Sequence, residues 1–172
     1  MTADVSSTDL RDTVTRLSSP PLIRLITEID DNGPIPARGL SRTLADLSGH
    51  QLRQAADEAR NLGLVGGHPG AGMELTDAGS ELADIYDESA RWARRHAYPT
   101  TVSDFAGRVQ RTLILTADTL APTTGDTSRR PADDRPAGAH AEADLTRLRN
   151  LLLRWLTAYP QAPWLAEAEP AA

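Results

Sequence analysis

The side chains most able to do chemistry in this sequence lie in one stretch, between residues 38 and 68. They are arginines, histidines, glutamines and one serine, namely Arg38, Arg42, Ser48, His50, Gln51, Arg53, Gln54 and His68. Arginine and glutamine can form paired hydrogen bonds with the edges of guanine and adenine, and arginine also pairs with phosphate. This set of side chains favours recognition of a polyanion over the making or breaking of covalent bonds.

Patterns typical of enzyme and metal sites are missing from the sequence. The chain has no cysteine, and its four histidines, at positions 50, 68, 96 and 140, lack the spacing of metal ligands. It also lacks a glycine-rich phosphate loop and a nucleophile elbow, and the carboxylates of Asp30 and Asp31 lie in a turn signal. We therefore expect no enzymatic activity, no cofactor and no metal ion.

The distribution of charge matters more than its total. The net charge is −6, whereas a polyanion is normally bound by a basic surface. However, residues 38–68 contain four arginines and three carboxylates, and residues 74–88 contain six carboxylates and no arginine. Only the first of these two segments is therefore expected to face a polyanion.

Length and composition predict one helical core with extensions. At 172 residues the chain is short for two cores, and its aromatic content is only 4%, so leucine, isoleucine, valine and alanine must build the interior. No run approaches the roughly 20 apolar residues that span a bilayer, and the amino end does not resemble a secretory signal. These features predict a mostly α protein of the cytoplasm without a membrane partner.

Three helices are predicted in the first half of the chain. The first begins at Pro20, has a broad aliphatic face and ends in the turn at residues 30–34. The second runs from about Ala37, and the third begins at Ser48, where the Ser-x-x-Gln form of a capping box occurs. The third ends at Gly63, a residue suited to a left-handed stop. Two short helices joined by a tight turn predict a helix-turn-helix.

A hairpin and further helices are predicted to follow. Residues 65–75 contain two short extended pieces around glycines and a proline, which indicates a β-hairpin, or wing. Residues 76–96 have helical spacing after a capping residue at Thr76 or Asp77. The remaining segments are predicted to be a polar arm at residues 1–19 with a short helical turn, a helix at 97–120 starting near Ser103, a disordered linker at 121–141 and a last helix within 142–172.

Residues 20–96 resemble the HxlR family of winged-helix transcriptional regulators, which is related to the MarR family. The resemblance depends on three segments in register: Leu47-Ser48 through Gly63-Leu64-Val65, then Leu75-Thr76-Asp77-Ala78-Gly79-Ser80-Glu81-Leu82, and finally Trp92-Ala93-Arg94-Arg95-His96. The chain departs from the family pattern at Pro36-Ala37 and in having Ala56 and Ala59 in place of leucines.

The resemblance implies a sequence-specific DNA-binding regulator whose third helix enters the major groove of double-stranded DNA. His50, Gln51, Arg53 and Gln54 would then face base edges next to the Ser48 cap. Arg38 and Arg42 would contact phosphates, and His68 would lie at the tip of the wing.

A homodimer is expected because the last helix, with leucines and Trp155 on one stripe, must dock on its own core or on a neighbour. The arginines around residues 91–95 and 108–111 could bind phosphate or pair with acidic residues of a partner copy.

Two alternatives remain open. The net negative charge and the short wing would also fit a winged-helix protein-interaction module that does not read DNA. A regulator with a small-molecule effector pocket near Tyr86, Trp92 and Phe105 is the other alternative.

Overall fold

Seven α-helices and a two-stranded antiparallel sheet form the part of the chain described by the computed structural model, residues 7–67, 70–102, 104–120 and 138–159. The elements are α1 (Ser7–Leu17), α2 (Pro20–Asn32), α3 (Leu40–Thr43), α4 (Gly49–Asn61), β1 (Val65–Gly66), β2 (Glu74–Leu75), α5 (Asp77–Arg95), α6 (Phe105–Leu120) and α7 (Ala139–Ala158). The prediction of a mostly α chain with a small hairpin is confirmed.

Helix α2 lies at the centre of the core. It begins with two prolines, which suit the first positions of a helix because these lack an intrahelical N–H partner. It ends at Gly33, whose φ of +83° favours glycine. Five aliphatic side chains of α2 are buried, and the helix packs against α4, α5 and α6.

The segment between α2 and α4 is less helical than predicted. A single 3₁₀ turn covers Ala37–Gly39, and α3 then extends over only four residues, Leu40–Thr43. Leu44 leaves the helical conformation, with φ of −109° and ψ of 57°, and its side chain is fully buried. The second helix is therefore shorter than the leucine spacing predicted. Leu44 reaches the core from a turn and not from a helix.

Both ends of α4 are formed as the sequence predicts. The Ser48 hydroxyl accepts a hydrogen bond of 3.2 Å from the backbone N–H of Gln51, and the Gln51 side-chain oxygen accepts one of 2.9 Å from the N–H of Ser48. Gly63 follows the helix with φ of +66°. The buried side of α4 carries Leu52 and three alanines, and these small side chains allow close packing on α2.

The hairpin pairs Val65 with Leu75 and Gly66 with Glu74. Ile35 extends it, because its N–H and carbonyl exchange hydrogen bonds of 3.0 and 2.8 Å with Met73. The segment before α3 is thereby tied to the hairpin. The predicted tip residue, His68, lies outside the described residues.

Thr76 and Gly79 connect the hairpin to α5. The Thr76 hydroxyl accepts a hydrogen bond from the Gly79 N–H and donates one of 2.6 Å to the carbonyl of Gly63. A Cβ at Gly79 would overlap the carbonyl oxygen of Leu64. Glycine is needed here because α5 packs directly on the backbone that leads into β1.

The amino-terminal segment differs from the polar arm expected at residues 1–19. Helix α1 packs against α6, with Val14 and Leu17 fully buried. The Tyr86 hydroxyl donates a hydrogen bond of 2.6 Å to the carbonyl of Leu17. Leu10, Val14 and Leu17 form a narrow apolar stripe at helical spacing. Because the rest of the segment is polar, its composition alone suggested an arm.

Helices α6 and α7 pack on the same hydrophobic core as residues 20–96. Helix α6 begins at Phe105, two residues after the predicted start. Helix α7 begins at Ala139, within the predicted linker, and the rest of that linker, residues 121–137, lies outside the described residues. The apolar stripe of α7 is buried within the chain, at Leu145, Leu148, Leu152, Trp155 and Leu156.

Candidate nucleic-acid interface

Helix α4 exposes the polar face that the sequence predicted. Ser48, His50, Gln51, Arg53 and Gln54 are all exposed, whereas the opposite face of the helix is buried. The first turn of α4 contains no carboxylate. Its free backbone N–H groups and its dipole therefore favour an anion at this end of the helix.

The capping box limits the hydrogen bonds that the Gln51 side chain can form with a ligand. Its side-chain oxygen already accepts the hydrogen bond from the N–H of Ser48, so only the amide nitrogen is available. A paired contact with adenine needs both the oxygen and the nitrogen of the amide. Gln54 is exposed and its side chain makes no hydrogen bond within the described part of the chain, so it is the better placed of the two glutamines for that contact.

Arg53 lies near the first turn of its own helix. Its guanidinium Nη1 is 3.5 Å from the position that a Cβ would occupy at Gly49. A Cβ there would make only an ordinary van der Waals contact with the guanidinium. The guanidinium is therefore close to the amino end of α4, where an anion is favoured.

Arg38 and Arg42 approach from the preceding segment. Arg38 lies in the 3₁₀ turn and Arg42 in α3, and both side chains are exposed. Within the described residues, Arg38, Arg42 and Arg53 form no ion pair. Their charges are therefore available to a ligand.

The carboxylates of residues 38–67 are all neutralised by arginines. Asp46 accepts a hydrogen bond from Arg24 at 3.2 Å, and this bond lowers the pKa of the Asp46 carboxyl below its usual range. Of the other two carboxylates, Asp57 pairs with Arg60 at 3.1 Å, and Glu58 pairs with Arg16 at 2.6 Å. The unpaired charge that remains on this segment is positive.

Two of these ion pairs could not be predicted from the sequence. Arg24 and Arg16 lie 22 and 42 residues from their partners, in α2 and α1. The segment itself contains three carboxylates and four arginines, but helices outside it supply the arginines that pair with Asp46 and Glu58. Only the pair between Asp57 and Arg60 follows from helical spacing.

The residues proposed to line an effector pocket are mostly buried. Tyr86 is fully buried and Trp92 is 3% exposed, whereas Phe105 is half-buried. A groove of about 470 Å³ lies instead between α5 and α7, with neither Tyr86 nor Phe105 in its wall. A second cavity of about 30 Å³ reaches Trp92 from the α7 side, which is space for about one water molecule.

The second arginine cluster is partly occupied by contacts within the chain. Arg91 pairs with Glu88, and Arg95 pairs with Asp144 of α7 at 3.0 Å.

Among the described residues, no group of three or more histidine or acidic side chains is arranged to hold a metal ion. In the same part of the chain, none of the helices has the length and apolar character required to cross a bilayer.

No family model, curated protein or solved structure matches this chain. A functional proposal therefore depends on the geometry and the charges of the molecule itself. Five of the eight predicted site residues lie at the exposed amino end and outer face of α4, and two more lie in the segment before it.

Proposed function

We propose that residues 20–96 form a winged helix and that the chain is a sequence-specific DNA-binding regulator that acts as a homodimer. In this proposal α4 enters the major groove of double-stranded DNA, and the hairpin of β1 and β2 is the wing. Two copies would read half-sites about one helical turn apart.

The observation that carries this proposal is the charge of the face around α4. All three carboxylates of residues 38–67 are paired with arginines, while Arg38, Arg42 and Arg53 are exposed and unpaired within the described part of the chain. Neutralisation of phosphate supplies most of the non-specific affinity of DNA-binding proteins. A locally positive face on a chain of net charge −6 is what this function requires.

The position of each side chain would decide whether it contacts bases or phosphates. Arg53 and Gln54, on the outer face of α4, would contact base edges, because arginine pairs with guanine and glutamine with adenine. Arg38 and Arg42 would contact phosphates and so fix the register of the protein on the duplex. The uncapped N–H groups of the first turn of α4 would add a contact with phosphate.

Fluorescence anisotropy with labelled genomic fragments, including the one upstream of the chain's own gene, tests the proposal. We expect at least one fragment to bind preferentially, with an affinity that falls as salt rises by a slope of about −0.9 per neutralised phosphate. Arg11→Ala is the matched control, because it removes one exposed arginine on α1, outside both arginine clusters. It should leave the affinity unchanged.

Absence of salt-sensitive binding to every fragment would reject DNA recognition. The protein-interaction module would then be the better proposal. The observation that favours that alternative is the hairpin, whose two strands have only two residues each and contain no arginine.

A further inference from the structure

The groove between α5 and α7 combines an apolar floor with acidic side chains. Its volume is about 470 Å³, within the range of about 300 to 1,000 Å³ that is typical of small-molecule sites. Its apolar lining consists of Ile85, Leu151, Trp155 and Ala158. The indole of Trp155 is hydrogen-bonded to the carbonyl of Ala78 in α5. The attachment of α7 to α5 therefore fixes the shape of the groove.

Carboxylates line the α5 side of the groove, at Glu81, Asp84 and Glu88, and these side chains are exposed. Glu88 is paired with Arg91, which lies outside the groove. Glu81 accepts a hydrogen bond of 2.7 Å from the Tyr159 hydroxyl, which carries no charge. Asp84 makes no hydrogen bond or ion pair within the described residues. The charges of Glu81 and Asp84 are therefore not neutralised by any cation in this part of the chain.

The α7 side of the groove does not balance this negative charge. Arg154 is the only cation that lines the groove in the described part of the chain, and it forms no ion pair there. Nearby Asp30 responds to the excess of carboxylates. Burial raises the pKa of the Asp30 carboxyl, and the charge of Asp84 raises it further. A positively charged ligand in the groove would relieve this repulsion.

Charge, polarity and size together define the ligand that fits the groove. Carboxylates in a cleft with low-dielectric walls attract cations more strongly than carboxylates on a flat surface, because the walls focus the field. The apolar floor favours a ligand that removes hydrocarbon surface from water. The groove extends along residues 81–88 and 151–158, or roughly 12 Å at 1.5 Å per residue. A molecule with a few rings or a short alkyl chain fits this length.

We infer that the groove between α5 and α7 binds a small organic cation with an apolar body, whose charge faces Glu81 and Asp84. The site differs from the effector pocket expected from the sequence, because neither Tyr86 nor Phe105 lines it. It is also separate from the proposed DNA interface, since none of its residues belongs to α4 or to the segment before it.

Isothermal titration calorimetry of the full chain with tetraphenylphosphonium, without DNA and in sodium buffer, tests the inference. Tetraphenylborate has nearly the same shape and the opposite charge, and tetramethylammonium has the same charge without the apolar body. We expect tetraphenylphosphonium to bind at one site and at least about tenfold more tightly than either comparison ion. Only this ion can interact with both the carboxylates and the apolar floor.

Two substitutions locate the binding site. Asp84→Asn keeps the shape of an exposed, unpaired side chain and removes its charge, so it should weaken tetraphenylphosphonium binding about threefold to tenfold. Asp57→Asn, which removes one carboxylate from the exposed side of α4, is the matched control. It should leave the affinity within about twofold of wild type, because salt screens a distant surface charge. Circular dichroism melting checks that both variants are folded.

The other outcomes each overturn the inference. Equal affinities for tetraphenylphosphonium and tetraphenylborate would show that the carboxylates do not select the ligand, and equal affinities for the two cations would exclude the apolar floor. Absence of binding to wild type, or unchanged binding to Asp84→Asn, would reject the groove as the site. If tetraphenylphosphonium releases monomers from a dimer in sedimentation velocity, the groove is occupied by a second copy instead. DNA recognition by α4 is measured separately, in the anisotropy experiment.

Discussion

The indole Nε1 of Trp155 donates a hydrogen bond of 2.9 Å to the backbone carbonyl of Ala78, which joins the end of α7 to the first turn of α5. Trp92 makes the reciprocal contact at the other end, with a bond of 3.2 Å from its Nε1 to the carbonyl of Ala141. Each helix thus donates one indole N–H to the other. Together the two bonds fix the antiparallel direction and the register of α7 on α5.

The first prediction concerns this attachment. Trp155→Ala should lower the free energy of unfolding by about 3 to 5 kcal/mol, because it removes a buried aromatic side chain and leaves a cavity. Urea unfolding followed by circular dichroism measures the change. Thr157→Ala, at an exposed position of α7, is the control and should stay within about 0.5 kcal/mol of wild type. Equal stability of Trp155→Ala and the control would contradict the docking of α7.

The second prediction is a pH dependence at the other end of α7. Hydrogen bonds from His96 and Arg95 hold the pKa of the Asp144 carboxyl below its usual value. A carboxyl whose pKa is lower in the folded than in the unfolded state adds stability above its unfolded pKa, which is about 3.9 for aspartate. This contribution is lost as the pH falls through the folded pKa.

Asp144→Asn should therefore be less stable than wild type at neutral pH, and the difference should shrink as the pH is lowered below about 4. Urea midpoints at a series of pH values across this range measure it. Asp57→Asn, whose carboxyl belongs to an exposed ion pair on α4, is the control and should show a much smaller difference at neutral pH. If the difference for Asp144→Asn persists unchanged in acid, ionisation of this carboxyl is not its cause.

The third prediction tests the capping box. Ser48→Ala should cost about 1 kcal/mol of stability, because the hydroxyl no longer accepts a hydrogen bond from the N–H of Gln51. Ser41→Ala, at an exposed position of α3 without such a bond, is the matched control. Thermal or urea unfolding compares the two variants. Similar stabilities would show that the cap contributes nothing measurable.

The fourth prediction concerns sequence recognition. Arg53→Ala should weaken binding to a preferred DNA site by about 1 to 3 kcal/mol and relax the preference at one base pair. The variant should stay folded because Arg53 lies on the exposed face of α4. Anisotropy titrations with single-base variants of the site measure both effects. An unchanged base preference would exclude Arg53 from reading bases.

The fifth prediction separates a phosphate contact from a base contact. Arg38→Ala should weaken binding to all DNA sequences about equally and reduce the slope of the salt dependence by about one unit. The comparison with Arg53→Ala, at the same salt concentrations, is decisive. If Arg38→Ala changes the base preference but not the salt slope, the two roles are assigned wrongly.

Local patterns predicted the elements that depend on neighbouring residues. The prolines at the start of α2, the capping box of Ser48 and Gln51 and the left-handed Gly63 were all predicted from the sequence, because the hydrogen bonds and backbone angles involved span only a few residues. The exposed face of α4 follows in the same way from helical periodicity. The identity of most of the candidate site residues was therefore available without a structure.

Contacts between distant residues were decided only by the tertiary structure. The pairing of Glu58 with Arg16 and of Asp46 with Arg24 joins helices far apart in sequence, and no periodicity encodes it. The same is true of α7, for which the sequence left its own core and a second copy as alternatives. Because the hydrophobic effect has no direction, an apolar stripe in the sequence shows that a helix face must be buried but not which surface covers it. In this fold the indole of Trp155 finds the carbonyl of Ala78 within the same chain, and that geometry exists only once the core has formed.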